Sequence, residues 1–248
     1  MSAVVLITGA SRGIGAATAL LAARAGYAVA VNYAANSLAA DEVVRQIRQA
    51  GGNAMTVQAD VADESQVLKM FEKVDAKLGR LTALVNNAGV VDQTSRVDAM
   101  SMARFKRMFE INVYGSFVCA REAVRRMSTR HGGTGGTIVN LSSVAARLGA
   151  PGQYVDYAAA KGAIDSFTVG LAKEVAAEGI RVNAVRPGII DTDIHASGGL
   201  PDRASEMAPQ VPMQRPGSAE EVARSILWLM SPESSYTTGT VLDVTGGR

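Results

Sequence analysis

Short runs of apolar, β-favouring residues alternate along this chain with longer segments of helical periodicity. Most runs are apolar at every position, which is typical of strands covered by helices on both faces. The predicted strands are Val4–Ile7, Ala28–Asn32, Ala54–Gln58, Ala83–Asn86, Thr137–Leu141, Arg181–Val185 and Val241–Val244. The predicted helices are Gly15–Ala25, Leu38–Ala50, Glu64–Leu78, Met100–Met127, Gln153–Glu178 and Ala219–Leu229. This alternation predicts an α/β fold with a doubly wound parallel sheet, helices on both faces and right-handed crossovers.

Composition agrees with one large α/β domain spanning residues 1–248. Hydrophobic residues make up 48% and charged residues 19%, which allows a large core and argues against disorder. No internal repeat or interdomain linker interrupts the pattern. The net charge is only +2, and basic residues are interleaved with acidic ones. Because no basic stripe is present, we expect no nucleic-acid partner.

Cys119 is the only cysteine, so no disulfide can form within the chain. A reducing compartment fits this, and we expect a cytoplasmic protein. Cys119 lies in an apolar helical stretch, which predicts a buried hydrophobe rather than a nucleophile. The weakly charged stretch 16–35 is interrupted by Arg24 and Gly26. It is therefore interpreted as a buried helix and strand, not as a membrane span.

A glycine-rich segment, residues 8–15, joins the first predicted strand to the first helix. Its spacing is G-x-x-x-G-x-G. Gly9 would permit a tight turn, Gly13 a close approach of the backbone to a pyrophosphate, and Gly15 close packing of helix on strand. The helix N-terminus would then face the phosphates. A purely structural turn is the alternative, but the position within a βαβ unit favours dinucleotide binding.

The segment after the second strand, Asn32–Ser37, contains no acidic residue. An NAD-preferring site usually places an acid there for the ribose 2′-hydroxyl. Arg12, in the glycine-rich loop, could instead meet a 2′-phosphate. We therefore predict that NADP(H) is preferred and that NAD(H) is possible. The alternative for Arg12 is a solvated loop charge.

Two further strand ends supply polar residues. Asp60 and Val61 follow the third strand, where a carboxylate could accept from an adenine amino group beside the valine; a helix-capping aspartate is the alternative. Asn86–Gly89 ends the fourth strand. Ligands of open α/β sheets bind beyond the carboxyl ends of the strands.

Tyr157 and Lys161 are four residues apart on a predicted helix, so their side chains share one face. The ammonium should favour the phenolate and lower the pKa of Tyr157. Such a phenol can exchange a proton with a substrate oxygen. Alone, this spacing is common on solvated helices. Together with Ser142, Ser143 and the glycine-rich loop, it indicates hydride chemistry on a nicotinamide cofactor.

These residues resemble the classical short-chain dehydrogenase/reductase family over essentially the whole chain. The motifs are the glycine-rich loop, Asn86–Gly89, Asn112, Ser143, the Tyr157 and Lys161 pair, Pro187-Gly188 with Thr192, and Gly246-Gly247. The resemblance implies a seven-stranded Rossmann sheet and 222-symmetric homotetramers, with subunits packed through the helices Met100–Met127 and Gln153–Glu178. It extends to members that are 3-oxoacyl-ACP reductase-like and glucose/ribitol dehydrogenase-like.

The resemblance also implies residue roles. Tyr157 would be the general acid in reduction and the base in oxidation, and Lys161 would hold the nicotinamide ribose and lower the pKa of Tyr157. Ser143 would bind the substrate oxygen, with Ser142 as the alternative because the spacing to Tyr157 is one residue longer than usual. Asn112 would anchor a water that links Lys161 to solvent. The cofactor-binding set is Gly9, Ser11, Arg12, Gly13, Ile14, Gly15, Asn32, Asp60, Val61, Asn87, Ala88, Gly89, Tyr157, Lys161, Pro187, Gly188 and Thr192; no metal site is predicted.

Three details concern the C-terminal third. The stretch 192–217, rich in Gly, Pro and Ser, is predicted to be a long loop that acts as a lid. His195 could touch substrate or be a solvated loop residue, and Tyr154 could line the pocket. Ser218 and Glu221 form a capping-box pattern before the last helix, in which Trp228 is predicted to be a core residue.

The leading function is an NADP-dependent oxidoreductase that transfers a hydride between the nicotinamide and a small-molecule carbonyl or secondary alcohol. A 3-oxoacyl-thioester reductase and a sugar or polyol dehydrogenase both fit. The alternative from another class is a binding protein that senses NADPH and regulates a partner. The intact set of Asn112, Ser143, Tyr157 and Lys161 argues against a sensor. A methyltransferase would leave the Tyr157 and Lys161 pair unexplained.

Overall fold

A computed structural model describes residues 3–192, 198–200 and 202–248. Seven parallel strands form one sheet in the order β3-β2-β1-β4-β5-β6-β9. The strands are β1 Val4–Ile7, β2 Ala28–Tyr33, β3 Ala54–Gln58, β4 Ala83–Asn86, β5 Gly136–Leu141, β6 Ile180–Pro187, β7 Ile190–Asp191, β8 Gly217–Ser218 and β9 Val241–Val244. The two shortest, β7 and β8, pair with each other outside the main sheet. The predicted doubly wound parallel sheet is confirmed.

The α-helices connect the strands and cover both faces of the sheet. They are α1 Gly13–Arg24, α2 Ser37–Gln49, α3 Glu64–Leu78, α4 Met102–Phe109, α5 Gly115–Met127, α6 Ala145–Leu148, α7 Val155–Val175, α8 Arg203–Met207 and α9 Ala219–Met230. Within the described ranges, no helix combines the length and the apolar composition that crossing a bilayer needs.

Two hydrophobic cores lie on opposite faces of the sheet, because successive residues of a strand point to opposite sides. Leu6 and Ile7, both fully buried, belong to different cores. One core is shared with α3, α5 and α7, and the other with α1, α2 and α9. Cys119 is buried in the first core, and burial raises the pKa of its thiol to about 12. The prediction that it is a small buried hydrophobe is confirmed.

The long helix predicted at Met100–Met127 is wrong in two respects. It begins at Met102, where the Ser101 hydroxyl caps it by accepting from the Arg104 N–H at 3.2 Å. A π-helical turn, Glu110–Tyr114, then separates α4 from α5. The apolar pattern continues through this turn, so periodicity did not indicate it. The turn carries the buried Asn112, whose side chain is hydrogen-bonded both to Met108 of α4 and to Val90, outside the helix.

The stretch 192–217 is not one long loop. In its described part it contains α8, a 3₁₀ turn at Ala208–Gln210, and the start of β8. Ala204 and Val211 pack with Ile189 in a small hydrophobic cluster. This cluster anchors the segment beside the end of β6. His195 lies outside the described residues.

The start of α9 follows the prediction. The Ser218 hydroxyl accepts from the Glu221 N–H at 3.2 Å, and the Glu221 carboxylate accepts from the Ser218 N–H at 2.8 Å. This reciprocal pair is a capping box. Trp228, further along α9, is 39% exposed and is therefore not the core residue that was predicted.

Candidate active site

A continuous groove runs along the carboxyl edge of the sheet. It comprises a cavity of about 540 Å³ beside the glycine-rich loop and one of about 480 Å³ beside the ends of β5 and β6. The two cavities share Ile14, Asn87, Gly89 and Thr192. The groove crosses the point where the chain leaves β1 and β4 in opposite directions, which is where doubly wound sheets bind ligands.

Glycine at positions 9 and 15 is required by close packing. Gly9 has a φ of +61°, and a Cβ there would lie 2.9 Å from the Ala88 Cα. A Cβ on Gly15 would lie 2.7 Å from the Gly9 carbonyl oxygen. Gly13, at a φ of +54°, faces only the Thr192 side chain at 3.5 Å. Gly9 and Gly15 let the loop fold tightly, and Gly13 leaves the backbone open toward the groove.

The Asn32 side chain links the glycine-rich loop to the end of β3 by hydrogen bonds. Its side-chain oxygen accepts from the Gly9 N–H at 3.1 Å, and its amide nitrogen donates to the carbonyls of Val57 and Ala59 at 3.2 and 3.1 Å. The residue is buried. Asn32 lines the larger cavity, and its amide is engaged in shaping the loop.

The end of β4 is tied to the same loop. The Asn87 amide donates to the carbonyls of Thr8 and Gly9 at 2.8 and 2.9 Å. The Thr8 hydroxyl accepts from the N–H groups of Asn87 and Ala88, both at 3.0 Å. The predicted cofactor residues of both segments therefore form one rigid floor of the groove.

The residues of this floor fit a dinucleotide. Helix α1 begins at Gly13 after Arg12, whose side chain makes no capping hydrogen bond, so the N–H groups of the first turn face the groove without a side-chain cap. Ser11, Arg12 and Ile14 line the larger cavity there, with Thr192 on the opposite side. A helix N-terminus of this kind binds phosphate.

Asp60 and Val61 line the other end of the larger cavity. The Asp60 carboxylate accepts from the Ala62 N–H at 3.0 Å. Asp63, not Asp60, caps α3, by accepting from the Ser65 N–H at 2.9 Å. The helix-capping alternative for Asp60 is therefore wrong, and its carboxylate lies at the cavity.

The cavity wall beside Asn32 contains Tyr33, Ala34, Ala35 and Asn36, none of them acidic. Two arginines, Arg12 and Arg107, line the same cavity. Sequence reasoning missed Arg107, which comes from α4. Its neighbour one turn later, Ile111, also lines the cavity. The helix face that Arg107 shares with Ile111 was the only feature of the sequence that could have indicated a position at this cavity.

Tyr157 lies in the first turn of α7 and lines the smaller cavity. Burial raises the pKa of the Tyr157 hydroxyl to about 12, while the Ser143 side chain lowers it and the nearby Tyr154 raises it. The expectation that Lys161 lowers the pKa of Tyr157 is wrong for the protein alone, because the loss of hydration outweighs the contacts that favour the phenolate. At neutral pH the group is a phenol that can donate its proton.

Lys161 is buried one turn further along α7. Its ammonium donates to the Leu141 carbonyl at 2.8 Å and lies 5.6 Å from the centre of the Tyr157 ring. Burial lowers the pKa of Lys161 to about 8, while the charge of Asp165 raises it. The pair predicted from its spacing therefore meets at the groove.

The two serines after β5, Ser142 and Ser143, have different surroundings. The Ser142 hydroxyl is buried and donates to the Lys161 carbonyl at 3.3 Å. The Ser143 hydroxyl accepts from the Ala145 N–H at 3.2 Å, and the residue lines the smaller cavity together with Tyr157. Ser143, and not Ser142, lowers the pKa of the Tyr157 hydroxyl.

Asn112 is fully buried in the π-helical turn. Its amide donates to the carbonyls of Val90 and Met108, both at 3.0 Å, and its oxygen accepts from the Val90 N–H at 3.2 Å. A Cβ on Gly89 would lie 2.8 Å from that oxygen and 3.4 Å from the Lys161 Nζ. Asn112 thus lies near Lys161, and its side chain fastens the segment after β4.

The end of β6 and the segment after it form part of the wall of the smaller cavity. The Pro187 carbonyl accepts from the Val144 N–H at 2.9 Å. A Cβ on Gly188 would lie 2.8 Å from the Thr245 Cα, so glycine is needed there. Tyr154 lines the smaller cavity, as anticipated. Sequence reasoning missed two other lining residues, Arg203 and Arg248, which come from distant parts of the chain.

The fold and this groove are those of the short-chain dehydrogenases/reductases, and the chain belongs to that family. The family model described as Enoyl-(Acyl carrier protein) reductase matches residues 9–248. The chain is an NAD(P)-dependent oxidoreductase that acts on carbonyl and alcohol groups.

Several relatives match over nearly the full length. The uncharacterized oxidoreductase YgfF of Escherichia coli K12 is 56% identical over 246 residues, covering 99% of this chain and 100% of that protein. A 3-oxoacyl-[acyl-carrier-protein] reductase of Synechocystis is 40% identical over 98% of this chain and 96% of its own. The cis-4-hydroxycyclohexanecarboxylate dehydrogenase of Sinomonas cyclohexanicum is 41% identical over 98% and 95%.

Solved structures of short-chain dehydrogenases/reductases are also similar to this chain. A short-chain dehydrogenase/reductase of Serratia marcescens, determined as a double mutant, matches with a TM-score of 0.91 at 32% identity. The match covers 99% of this chain and 97% of that one. A dehydrogenase/reductase of Sinorhizobium meliloti 1021 matches equally well, with a TM-score of 0.91 over 99% of this chain and 94% of its own.

Proposed function

We propose that this protein is an NADP(H)-dependent oxidoreductase in which Tyr157 is the general acid and base. The single observation that carries the proposal is the meeting of Tyr157, Lys161 and Ser143 at the wall of the smaller cavity, where the Lys161 ammonium lies 5.6 Å from the centre of the Tyr157 ring. When bound, the nicotinamide supplies or accepts the hydride. The Tyr157 hydroxyl donates its proton to the carbonyl oxygen during reduction and takes it back during oxidation.

The neighbouring residues support this proton transfer. Ser143 holds the substrate oxygen as negative charge develops on it, which is worth most in a site that excludes water. The Lys161 ammonium, which the Leu141 carbonyl orients, favours the phenolate when Tyr157 loses its proton. Asn112 positions the segment after β4, which forms the floor below them.

The preference for NADP(H) rests on the larger cavity. Arg12 and Arg107 line it, and the residues that follow β2 carry no carboxylate. A 2′-phosphate brings two further negative charges, which guanidinium groups bind well. We expect NADPH to bind more tightly than NADH.

The lining of the smaller cavity favours an apolar substrate scaffold over a sugar or polyol. Apolar side chains predominate in its lining, among them those of Val91, Leu148, Ala150, Pro151 and Ile189. A polyol would leave most of its hydroxyl groups without partners there, which is unfavourable. The names of two relatives, a 3-oxoacyl reductase and a hydroxycyclohexanecarboxylate dehydrogenase, agree with this choice.

We also propose a homotetramer in the cytoplasm. Helices α5 and α7 present an apolar face on which Phe117, 42% exposed, stacks on Phe167 with 3.7 Å between ring centres. Tyr114, at the start of this face, is 59% exposed. Exposed aromatic residues of this kind are enriched at subunit interfaces. The single buried cysteine agrees with a reducing compartment.

The deciding experiment follows NADPH absorbance with acetoacetyl thioester, 4-oxocyclohexanecarboxylate, simple ketones and sugars, and NADP⁺ reduction with polyols. Tyr157→Phe should lose about 10²–10⁴-fold in turnover and still bind NADPH, because the phenol transfers the proton but does not form the cofactor floor. Tyr236→Phe is the matched control, since Tyr236 is fully exposed. Full activity of Tyr157→Phe would refute the assignment. Tight NADPH binding with no turnover of any compound would favour the sensor alternative.

A further inference from the structure

Among the described residues, the side chains that line the smaller cavity carry positive charge and no carboxylate. Lys161, Arg203 and Arg248 line it, and none of the described residues in its wall is an aspartate or glutamate. Most other lining residues are apolar. A cleft with one sign of charge and low-dielectric walls concentrates ligands of the opposite sign.

Arg203 is held by neutral groups. Its guanidinium donates to the Gln153 side-chain oxygen at 2.7 Å and lies 5.2 Å from the centre of the Tyr154 ring. The acidic neighbours on the same segment, Asp202 and Glu206, are exposed and do not line the cavity. No carboxylate in the described part of the chain forms an ion pair with Arg203, whose guanidinium lines the cavity.

Arg248 adds a second guanidinium. Its Nη1 is buried and finds no hydrogen-bond partner in the part of the chain that the structure describes. The preceding residues are fixed, since the Gly246 carbonyl accepts from the Met213 N–H at 3.1 Å and the Val244 carbonyl accepts from the Gly188 N–H at 2.9 Å. A buried donor without an acceptor is unfavourable, and an anionic ligand would satisfy it.

We propose that the substrate is a ketone or secondary alcohol that carries an anionic group, a carboxylate or a phosphate, on an apolar scaffold. Arg203 and Arg248 bind the anion, because guanidinium groups match the oxygens of both ions. Tyr157 and Ser143 hold the reacting oxygen in the same cavity. This substrate class rests on the proposed function, and the two arginines determine specificity rather than chemistry.

The first test is binding without turnover. Calorimetry compares cyclohexanecarboxylate, cyclohexyl phosphate and cyclohexanecarboxamide on the full chain saturated with oxidised cofactor. We expect one of the anions to bind about tenfold or more tightly than the amide, and the tighter anion identifies the group. Equal binding of both anions and the amide, or no binding of either anion, overturns the proposal whether or not the protein is an enzyme.

Single variants test whether Arg203 and Arg248 cause the preference for anions. Arg203→Gln and Arg248→Gln should each weaken anion binding about tenfold and leave amide binding unchanged. Arg203→Lys keeps the positive charge but loses the planar guanidinium group. Its affinity for the anion should therefore lie between those of the wild type and Arg203→Gln. Arg224→Gln makes the same change in net charge on the exposed face of α9, where Arg224 pairs with Glu220, and should have no effect. An anion preference that survives both cavity variants, or falls equally in Arg224→Gln, contradicts the proposal.

Turnover separates this inference from the proposed function. With a hydroxy or keto acid and its amide as substrates, Arg203→Gln should lower kcat/KM for the acid about tenfold more than kcat/KM for the amide, chiefly through the KM for the acid. Tyr157-dependent turnover with equal kcat/KM for acid and amide would refute the anionic substrate and leave the enzyme function standing. Anion-selective binding without any turnover would support the cavity chemistry and contradict the enzyme.

Discussion

Lys161 places its ammonium nitrogen 5.6 Å from the centre of the Tyr157 ring; the lysine is buried and the tyrosine partly buried. Burial is the largest cause of shifts in opposite directions, to a pKa of about 8 for the lysine and about 12 for the tyrosine. The protein without cofactor thus holds its proton donor protonated. The cost of burying the lysine charge has a consequence for stability that can be measured.

Lys161 should make stability depend on pH. Its pKa is about 8 in the folded protein, below the usual 10.5, so the unfolded chain binds more protons between these values and stability rises with pH across this window. Lys161→Met should lack this rise. The free energy of unfolding of the wild type relative to the variant should therefore increase by roughly 3 kcal/mol between pH 7 and pH 11.

Urea unfolding at both pH values measures this difference. Lys173→Met, which removes an exposed lysine from the same helix, is the control and should behave as the wild type. A constant difference between wild type and Lys161→Met across the range would show that the buried ammonium is not penalised.

Ser143 and Ser142 should differ sharply when each is replaced by alanine. Ser143→Ala removes the hydroxyl proposed to hold the substrate oxygen in the cavity that Tyr157 also lines, and we expect kcat/KM to fall about 10²–10³-fold. Ser142→Ala removes a bond to a helix carbonyl at 3.3 Å and should change kcat/KM by less than about fivefold. Steady-state kinetics on any accepted substrate decides between them. A larger loss in Ser142→Ala would transfer the substrate-binding role to that residue.

A carboxylate at position 34 should reverse the cofactor preference. Ala34 is exposed at the larger cavity, so Ala34→Asp introduces a negative charge without disturbing the core. We expect NADPH affinity to fall about tenfold while NADH affinity holds or improves. Fluorescence titration with both cofactors measures this, with Ala34→Asn as the uncharged control of the same shape. Equal affinities of the wild type for NADPH and NADH would refute the preference itself.

Phe117 offers a test of the homotetramer. Light scattering should give the wild type four times the mass of one chain, and Phe117→Glu should shift the protein to smaller species because it buries a charge in the proposed interface. Leu38→Glu places the same charge on α2, where Leu38 is 82% exposed, and should leave the mass unchanged. A monomeric wild type would contradict the assembly.

The strands could be predicted because a parallel strand covered on both faces leaves a continuous apolar run, as in Val4–Ile7. The proximity of Tyr157 and Lys161 could be predicted because a helix fixes the distance between residues four apart. The π-helical turn at Glu110–Tyr114 could not, since an extra residue in one turn leaves no mark on an apolar pattern that continues through it. Helix α8 is too short to establish a periodicity.

The arginines of the cavities were missed for a different reason. Arg107 and Arg248 come from separate segments, and each reaches the groove only through tertiary packing. Arg107 shares a helix face with Ile111, and Arg248 follows Gly246-Gly247, but neither pattern indicates that the arginine side chain reaches a cavity. The pKa of Tyr157 was misjudged because burial, unlike spacing, is a property of the whole fold.

Helix α8 lies outside the sheet, whereas the residues proposed to transfer the proton lie just after β5 and on α7. The position that selects a ligand and the positions that react with it therefore belong to separately encoded parts of the chain. A library restricted to Arg203 and its neighbours on α8 could be screened for new substrates while every variant keeps the same reactive core. Retargeting this enzyme should thus need far fewer changes than rebuilding its chemistry.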